Sequence, residues 1–215
     1  MIKGVIFDLD GVIVSTDELH YEAWKKLAEE LGITDFTKED NEKQRGVSRM
    51  ESLEVVLAKG SRQYSEEEKV QLADRKNNYY KEMLKTLDKS ALLPGSEETL
   101  LKLKEKNILI ALGSASKNAI TILKQIEIYD LFNEISSGLD VTRSKPDPQV
   151  FLVAAQKLGL DPGECLVVED SKAGIVAAKA GGMKSLAVGP FYKTLGGDYE
   201  AENLKVEIDW ETILQ

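Results

Sequence analysis

From Gly95 onward, segments of helical period and short apolar runs take turns. Glu97 to Glu105 reads as helix and Ile108 to Gly113 as strand, followed by a helix over Lys117 to Glu127 and a short strand near Glu134 to Ser137. Pro148 to Leu158 and Lys172 to Ala180 are expected helices, and Cys165 to Val168 and Ser185 to Val188 expected strands. Such alternation builds a parallel, doubly wound sheet, because each helix carries the chain back across one face so that the next strand runs the same way. One more buried strand, Lys3 to Leu9, stands far upstream and closes on the turn signal Asp10-Gly11.

Between that first strand and Ile108 no convincing strand occurs. Ser15-x-x-Glu18, Ser48-x-x-Glu51 and Ser65-x-x-Glu68 all have capping-box spacing, and Gly32 and Gly60 supply stops. Residues 14–90 therefore read as an all-helical insertion, ended by Leu93-Pro94-Gly95. The expected architecture is α/β: a Rossmann-like, doubly wound core over 1–13 and 91–215, interrupted by a helical domain over 14–90. The tail after Gly189 reads as loop, with a last short element at Trp210 to Leu214.

With 215 residues the chain is long enough for one to two domains, and 42% hydrophobic with 30% charged residues is ordinary globular usage. The longest apolar stretch, Ile108 to Leu112, is far too short to cross a bilayer, so no membrane partner is expected. The N-terminus does not read as a secretory signal, which points to the cytoplasm. A single cysteine, Cys165, excludes an internal disulfide, and with one histidine the usual zinc clusters are unavailable; any metal must be held by oxygen. A net charge of −9 repels polyphosphate, so nucleic acid is not an expected partner. Oligomeric state leaves no sequence signal, and a monomer is the default expectation.

In an open parallel sheet, ligands bind beyond the carboxyl ends of the strands. There the first strand offers Asp8-Leu9-Asp10-Gly11, the second Ser114-Ala115-Ser116, and the fourth Glu169-Asp170-Ser171. If the chain stays extended, Asp8 and Asp10 point the same way. One carboxylate can attack phosphorus while its neighbour moves a proton. Asp8, Glu169 and Asp170 would repel one another unless a hard cation such as Mg²⁺ lay between them. Lys145 precedes Pro146-Asp147-Pro148, where Asp147 can cap and Pro148 suits a first helical position; a lysine there could neutralise a phosphoryl oxygen. Ser114 and Ser116, with backbone N–H groups near Lys117-Asn118, offer phosphate donors, although capping explains Ser116 equally well.

Within the helical insertion, His20, Ala23, Trp24, Leu27 and Leu31 share one helix face, so the histidine is either a core residue or a ligand group. Ala73, Lys76, Tyr80, Met83 and Leu87 form a second stripe, with a lysine that either snorkels or is held inside. Arg45-Gly46-Val47-Ser48-Arg49 precedes a helix whose first turn carries Arg49 and Ser52, an arrangement suited to phosphate or simply exposed.

Asp8-Leu9-Asp10-Gly11, Ser114, Lys145 and Glu169-Asp170, in this order, resemble the four motifs of the haloacid dehalogenase superfamily of phosphotransferases, and the insertion resembles its helical-cap subclass. The resemblance implies Mg²⁺ at Asp8, Asp10, Glu169 and Asp170, an aspartyl-phosphate at Asp8, and acid/base work by Asp10, with Ser114 and Lys145 in the catalytic set. Dehalogenation is disfavoured, since those members lack the second aspartate and need no metal. Thr16, His20, Trp24, Arg45, Gly46, Val47, Arg49, Ser52 and Lys76, with Ala115, Ser116, Lys117 and Asn118, resemble the substrate-binding set of sugar-phosphate mutases in this superfamily. Those members carry a basic residue at the position of Arg45, lysine in the best-known form. The implied partners are beta-D-glucose 1-phosphate, glucose 6-phosphate and beta-glucose 1,6-bisphosphate. A sugar-phosphate phosphatase and a non-catalytic phosphate-binding regulator are the rival readings.

Overall fold

The computed structural model describes residues 1–44 and 47–215. The chain divides into two compact units, an α/β unit of Met1–Ser15 with Asp88–Gln215, and a helical unit of Thr16–Leu87. In chain order the elements are β1 (Gly4–Phe7), α1 (Asp17–Glu30), α2 (Lys38–Glu42), α3 (Arg49–Leu57), α4 (Glu66–Leu84), α5 (Ser96–Glu105), β2 (Leu109–Gly113) and α6 (Ala119–Gln125). They continue with β3 (Glu134–Ser136), α7 (Gln149–Leu158), β4 (Cys165–Glu169), α8 (Lys172–Ala180), β5 (Lys184–Ala187), α9 (Tyr192–Leu195), β6 (Tyr199–Glu200) and α10 (Trp210–Leu214).

The sheet order is β3-β2-β1-β4-β5-β6, and every pairing is parallel. The strand order reverses beside β1, which places the topological switch point at the end of that strand. Four-residue β1 is buried along its whole length, as a central strand covered on both faces must be. Under one face Ile6, Phe151, Ala154, Val167 and Ala177 form a continuous core. Burying a side chain the size of Phe151 stabilises by roughly 1.5–3 kcal/mol.

Register fixes the rim. Phe7 is level with Leu112 on one side and Val168 on the other, so Asp8, Gly113 and Glu169 reach the carboxyl edge together. The edge strand β6 lies where the sequence reads as loop. Two residues show no alternation; the segment is ordered by Asp198, whose Oδ2 accepts from Ser185 N and Oγ. Gly197 is needed there, since a Cβ would stand 2.6 Å from the Tyr199 carbonyl oxygen.

The helical unit packs Trp24, Leu27, Leu53, Val56, Leu72 and Ala73 into its own core. Ser48 and Ser65 do form capping boxes with Glu51 and Glu68. The box expected at Ser15 does not form. Helix α1 starts after Thr16, while Ser15 N donates to the Ala91 carbonyl, so the serine is held in the connection rather than at a helix start. A third box joins Thr37 and Asp40 at α2, with aspartate in the place usually taken by glutamate. The helical unit begins and ends slightly inside the expected 14–90. Val14 bridges Leu92 and Leu93 N donates to the Ile13 carbonyl, which ties both connecting segments to the α/β unit. No helix among the described residues is long and apolar enough to cross a membrane.

Candidate active site

At the carboxyl edge of the sheet, the Lys145 ammonium lies between two carboxylates, 2.6 Å from Asp8 Oδ1 and 2.5 Å from Glu169 Oε1. All three side chains are nearly excluded from water. The lysine reaches them from the loop before α7, whose N-cap is Pro148, one position later than expected; Asp147 Oδ1 accepts from Gln149 N just ahead of it. The Phe151 ring backs the ammonium at 4.6 Å, a cation–π contact that sequence reasoning missed because Phe151 reads simply as core.

Burial raises the Asp8 carboxyl, the Lys145 charge opposes that, and the Glu169 and Asp10 carboxylates add to the rise, leaving its pKa at about 7. For Lys145, burial acts against the charge, but Asp8 and Glu169 outweigh it and hold the ammonium above its ordinary value. One lysine faces a rim that carries Asp8, Asp10, Glu169 and Asp170.

Carboxylate oxygens of Asp8, Glu169 and Asp170 lie within 4.8 Å of one another. An all-oxygen set of this span and charge suits a hard divalent cation. Gly11, at φ +83, makes room for the Asp170 carboxylate: a Cβ there would stand 2.0 Å from Asp170 Oδ2. The Asp10 carboxylate, expected as a fourth member, is not in that set. The premise of an extended chain fails, because β1 ends at Phe7, the backbone bends at Leu9, and Asp10 bridges Val14 before the turn at Gly11. Asp10 still contributes negative potential at Asp8.

Glu169 is held twice. Its Oε1 accepts from Lys145, and its Oε2 accepts from Ser171 N at 2.7 Å and Ser171 Oγ at 2.9 Å. Beyond β2, Ser114 is buried and its Oγ accepts from Ser116 N, while Ser116 Oγ accepts from Asn118 N. Ala115 and Ser116 are partly exposed, Asn118 is buried and Lys117 is exposed. Gly138 lets its strand-end loop run against this turn, since a Cβ would stand 2.1 Å from the Ala115 carbonyl oxygen.

The helical unit carries its own polar cluster. Lys76 does not snorkel: it is 3% exposed, lies 2.8 Å from His20 Nδ1, and sits over the Trp24 and Tyr80 rings at 4.6 and 4.8 Å. Burial, then the Lys76 and Arg49 charges, hold His20 well below the usual histidine range. Thr16 accepts from Tyr80 Oη and is fully buried, and Trp24 is nearly so; in this structure neither offers a surface to a ligand. Arg49 donates to Asn77 Oδ1 and lies 3.7 Å from Asp74. Ser52 is buried, its carbonyl accepting from Gln44 Nε2, and Val47 is partly exposed. Arg45 and Gly46 lie outside the described residues.

Comparison with known proteins places this geometry. Beta-phosphoglucomutase of Bacillus subtilis is 41% identical over 98% of this chain and 96% of its own length. The crystal structure of beta-phosphoglucomutase from Clostridium difficile superposes with a TM-score of 0.91 at 41% identity, covering 99% of this chain and 96% of that one. A phosphorylated carbohydrates phosphatase of Thermotoga maritima is 30% identical over 86% of this chain and 84% of its own. The profile of the haloacid dehalogenase-like hydrolases spans residues 5–188, taking in the acidic rim from Asp8 to Asp170. A doubly wound sheet with its carboxylates gathered at the switch point, matched by that profile over residues 5–188, makes the chain a member of the haloacid dehalogenase-like hydrolase family.

Proposed function

We propose that this chain is a Mg²⁺-dependent phosphomutase that interconverts beta-D-glucose 1-phosphate and glucose 6-phosphate through beta-glucose 1,6-bisphosphate. The observation that carries the reading is the near full-length likeness, in sequence and in fold, to beta-phosphoglucomutases. Its chemistry follows from the rim. An Asp8 carboxylate oxygen attacks phosphorus, an O–P bond forms to Asp8, and the bond from phosphorus to the donor oxygen breaks. Asp10 gives a proton to the departing sugar oxygen and takes one from the sugar hydroxyl that later removes the phosphoryl group. Lys145 and Ser114 stabilise charge on the phosphoryl oxygens. Asp8, Glu169 and Asp170, with Asp10 beside them, would hold Mg²⁺, which would supply Lewis-acid neutralisation of the clustered carboxylates and the phosphoryl group.

Ser116, Lys117 and Asn118 are proposed to grip the second phosphate, with Val47, Arg49 and Ser52 of the helical unit contributing recognition, and His20 and Lys76 sensing the sugar. A monomer working in the cytoplasm, where sugar phosphates are handled, is the proposed setting. A phosphatase is the second reading, favoured by the Thermotoga maritima relative. The deciding assay supplies beta-glucose 1-phosphate, Mg²⁺ and a trace of the bisphosphate. Glucose 6-phosphate without inorganic phosphate is the expected product; stoichiometric inorganic phosphate would overturn the mutase reading.

A further inference from the structure

A glycine in the first turn of α8 and a serine at its start do more than begin a helix. Ser171 Oγ accepts from Gly174 N at 3.1 Å, which caps α8. The same hydroxyl has one proton left to give, and it goes to Glu169 Oε2 at 2.9 Å, alongside the Ser171 backbone N–H at 2.7 Å. Gly174 is where that carboxylate rests: an added Cβ would fall 1.9 Å from both Glu169 Cδ and Oε1. Glycine weakens a helix, so its presence inside the first turn needs a compensating reason. Here that reason is the room taken up by Oε1, the oxygen that also receives Lys145. With Oε2 fastened by two donors and Oε1 seated over Gly174, rotation of the carboxylate is blocked. A loose Glu169 would misplace Lys145 as well, because the lysine bridges it to Asp8.

We propose that Ser171 and Gly174 are positioning residues that lock the Glu169 carboxylate and thereby set the affinity of the rim for its divalent cation. The inference rests on the metal reading given above and adds the groups behind the ligands. Partners of this kind typically change metal affinity by about 10–100-fold when removed. The test is titration calorimetry of the full chain with Mg²⁺ alone, paired with thermal melting. Ser171→Ala and Gly174→Ala are expected to weaken Mg²⁺ binding by roughly 10-fold or more, while Ser171→Thr, which keeps the hydroxyl, stays near the unaltered protein. Ser171→Gly, which a helix start tolerates nearly as well as serine, carries the same expectation as Ser171→Ala and decides the matter if that variant does not fold. A purely structural role lowers the melting temperature and leaves Mg²⁺ affinity within about 2-fold, far below the change a lost supporting group produces; that result overturns the proposal while leaving the phosphomutase reading intact. Failure of the unaltered chain to bind Mg²⁺ overturns both.

Discussion

Each unit of this molecule buries one lysine, and the two are held by different physics. Lys145, 7% exposed, is clamped between Asp8 and Glu169 and backed by Phe151. Lys76, 3% exposed, faces the His20 imidazole and the rings of Trp24 and Tyr80. In the first case, opposite charges fix the ammonium in one place and keep it protonated. In the second, the cation acts on its neighbour: its field helps keep His20 neutral. A buried lysine is thus a fixed counter-ion at the acidic rim and a tuning charge in the helical unit.

The contrast can be broken from either side. The largest effect is expected for Asp8→Asn, which leaves Lys145 a weaker acceptor and removes the proposed nucleophile: turnover should fall by about 10⁴-fold or more, and no phosphoenzyme should appear on a denaturing mass spectrum. Persistence of turnover would show that Asp8 only balances Lys145. Next comes Lys145→Met, which leaves Asp8 and Glu169 facing each other in a buried site; a loss of about 3–5 kcal/mol in denaturant unfolding is expected. That loss should grow as pH rises above 7 and shrink as pH falls through it, because Asp8, already at about 7 beside the ammonium, is pushed higher without it and its protonation removes the repulsion. Ser65→Ala removes the capping box of α4, the helix that carries Lys76 and Tyr80, and is expected to cost about 1 kcal/mol by chemical denaturation.

A pH series refines the contrast, because the two units should respond with opposite sign, and the smallest effect is the one expected for His20. Asp8 is raised from 3.8 to about 7, so its contribution to stability is full below 3.8 and is lost as pH rises through 7. His20 is depressed below its ordinary 6.5, so its contribution is present above 6.5 and is lost as pH falls further. Between pH 7 and 6 the His20 loss should stay below about 1 kcal/mol. Since His20 is the single histidine in the chain, its ring protons give one readable NMR titration. Lys76→Met should move that titration upward; an unmoved midpoint would mean that burial and the Arg49 charge depress it without Lys76.

Much of the rim was legible because it depends on strand ends. A buried run that stops at an acidic turn, or a strand that stops at Ser114, places side chains by register, and register in a parallel sheet follows from the apolar pattern. The bend after β1 was not legible. Asp8 and Asp10 are two apart, and only the fold shows that the strand ends at Phe7 and the chain bends at Leu9 between them. Phe151 and Gly174 were missed for a related reason: as residue types they signal core and helix weakness, and their bearing on Lys145 and Glu169 exists only across the fold. Strand β6 escaped because two residues carry no period.

Periodicity, capping spacings and the chemistry of residues at strand ends determined by themselves that this chain forms an α/β unit with an acidic rim and a separate helical insertion, because these are local patterns that any one segment expresses alone. Which carboxylate oxygen meets Lys145, that Lys76 lies inside rather than reaching for water, and that the close carboxylate set is Asp8, Glu169 and Asp170 were decided by the tertiary structure. Those outcomes depend on burial and on distances of a few ångströms between residues remote in the chain, and such distances exist only once the sheet and the helices have packed.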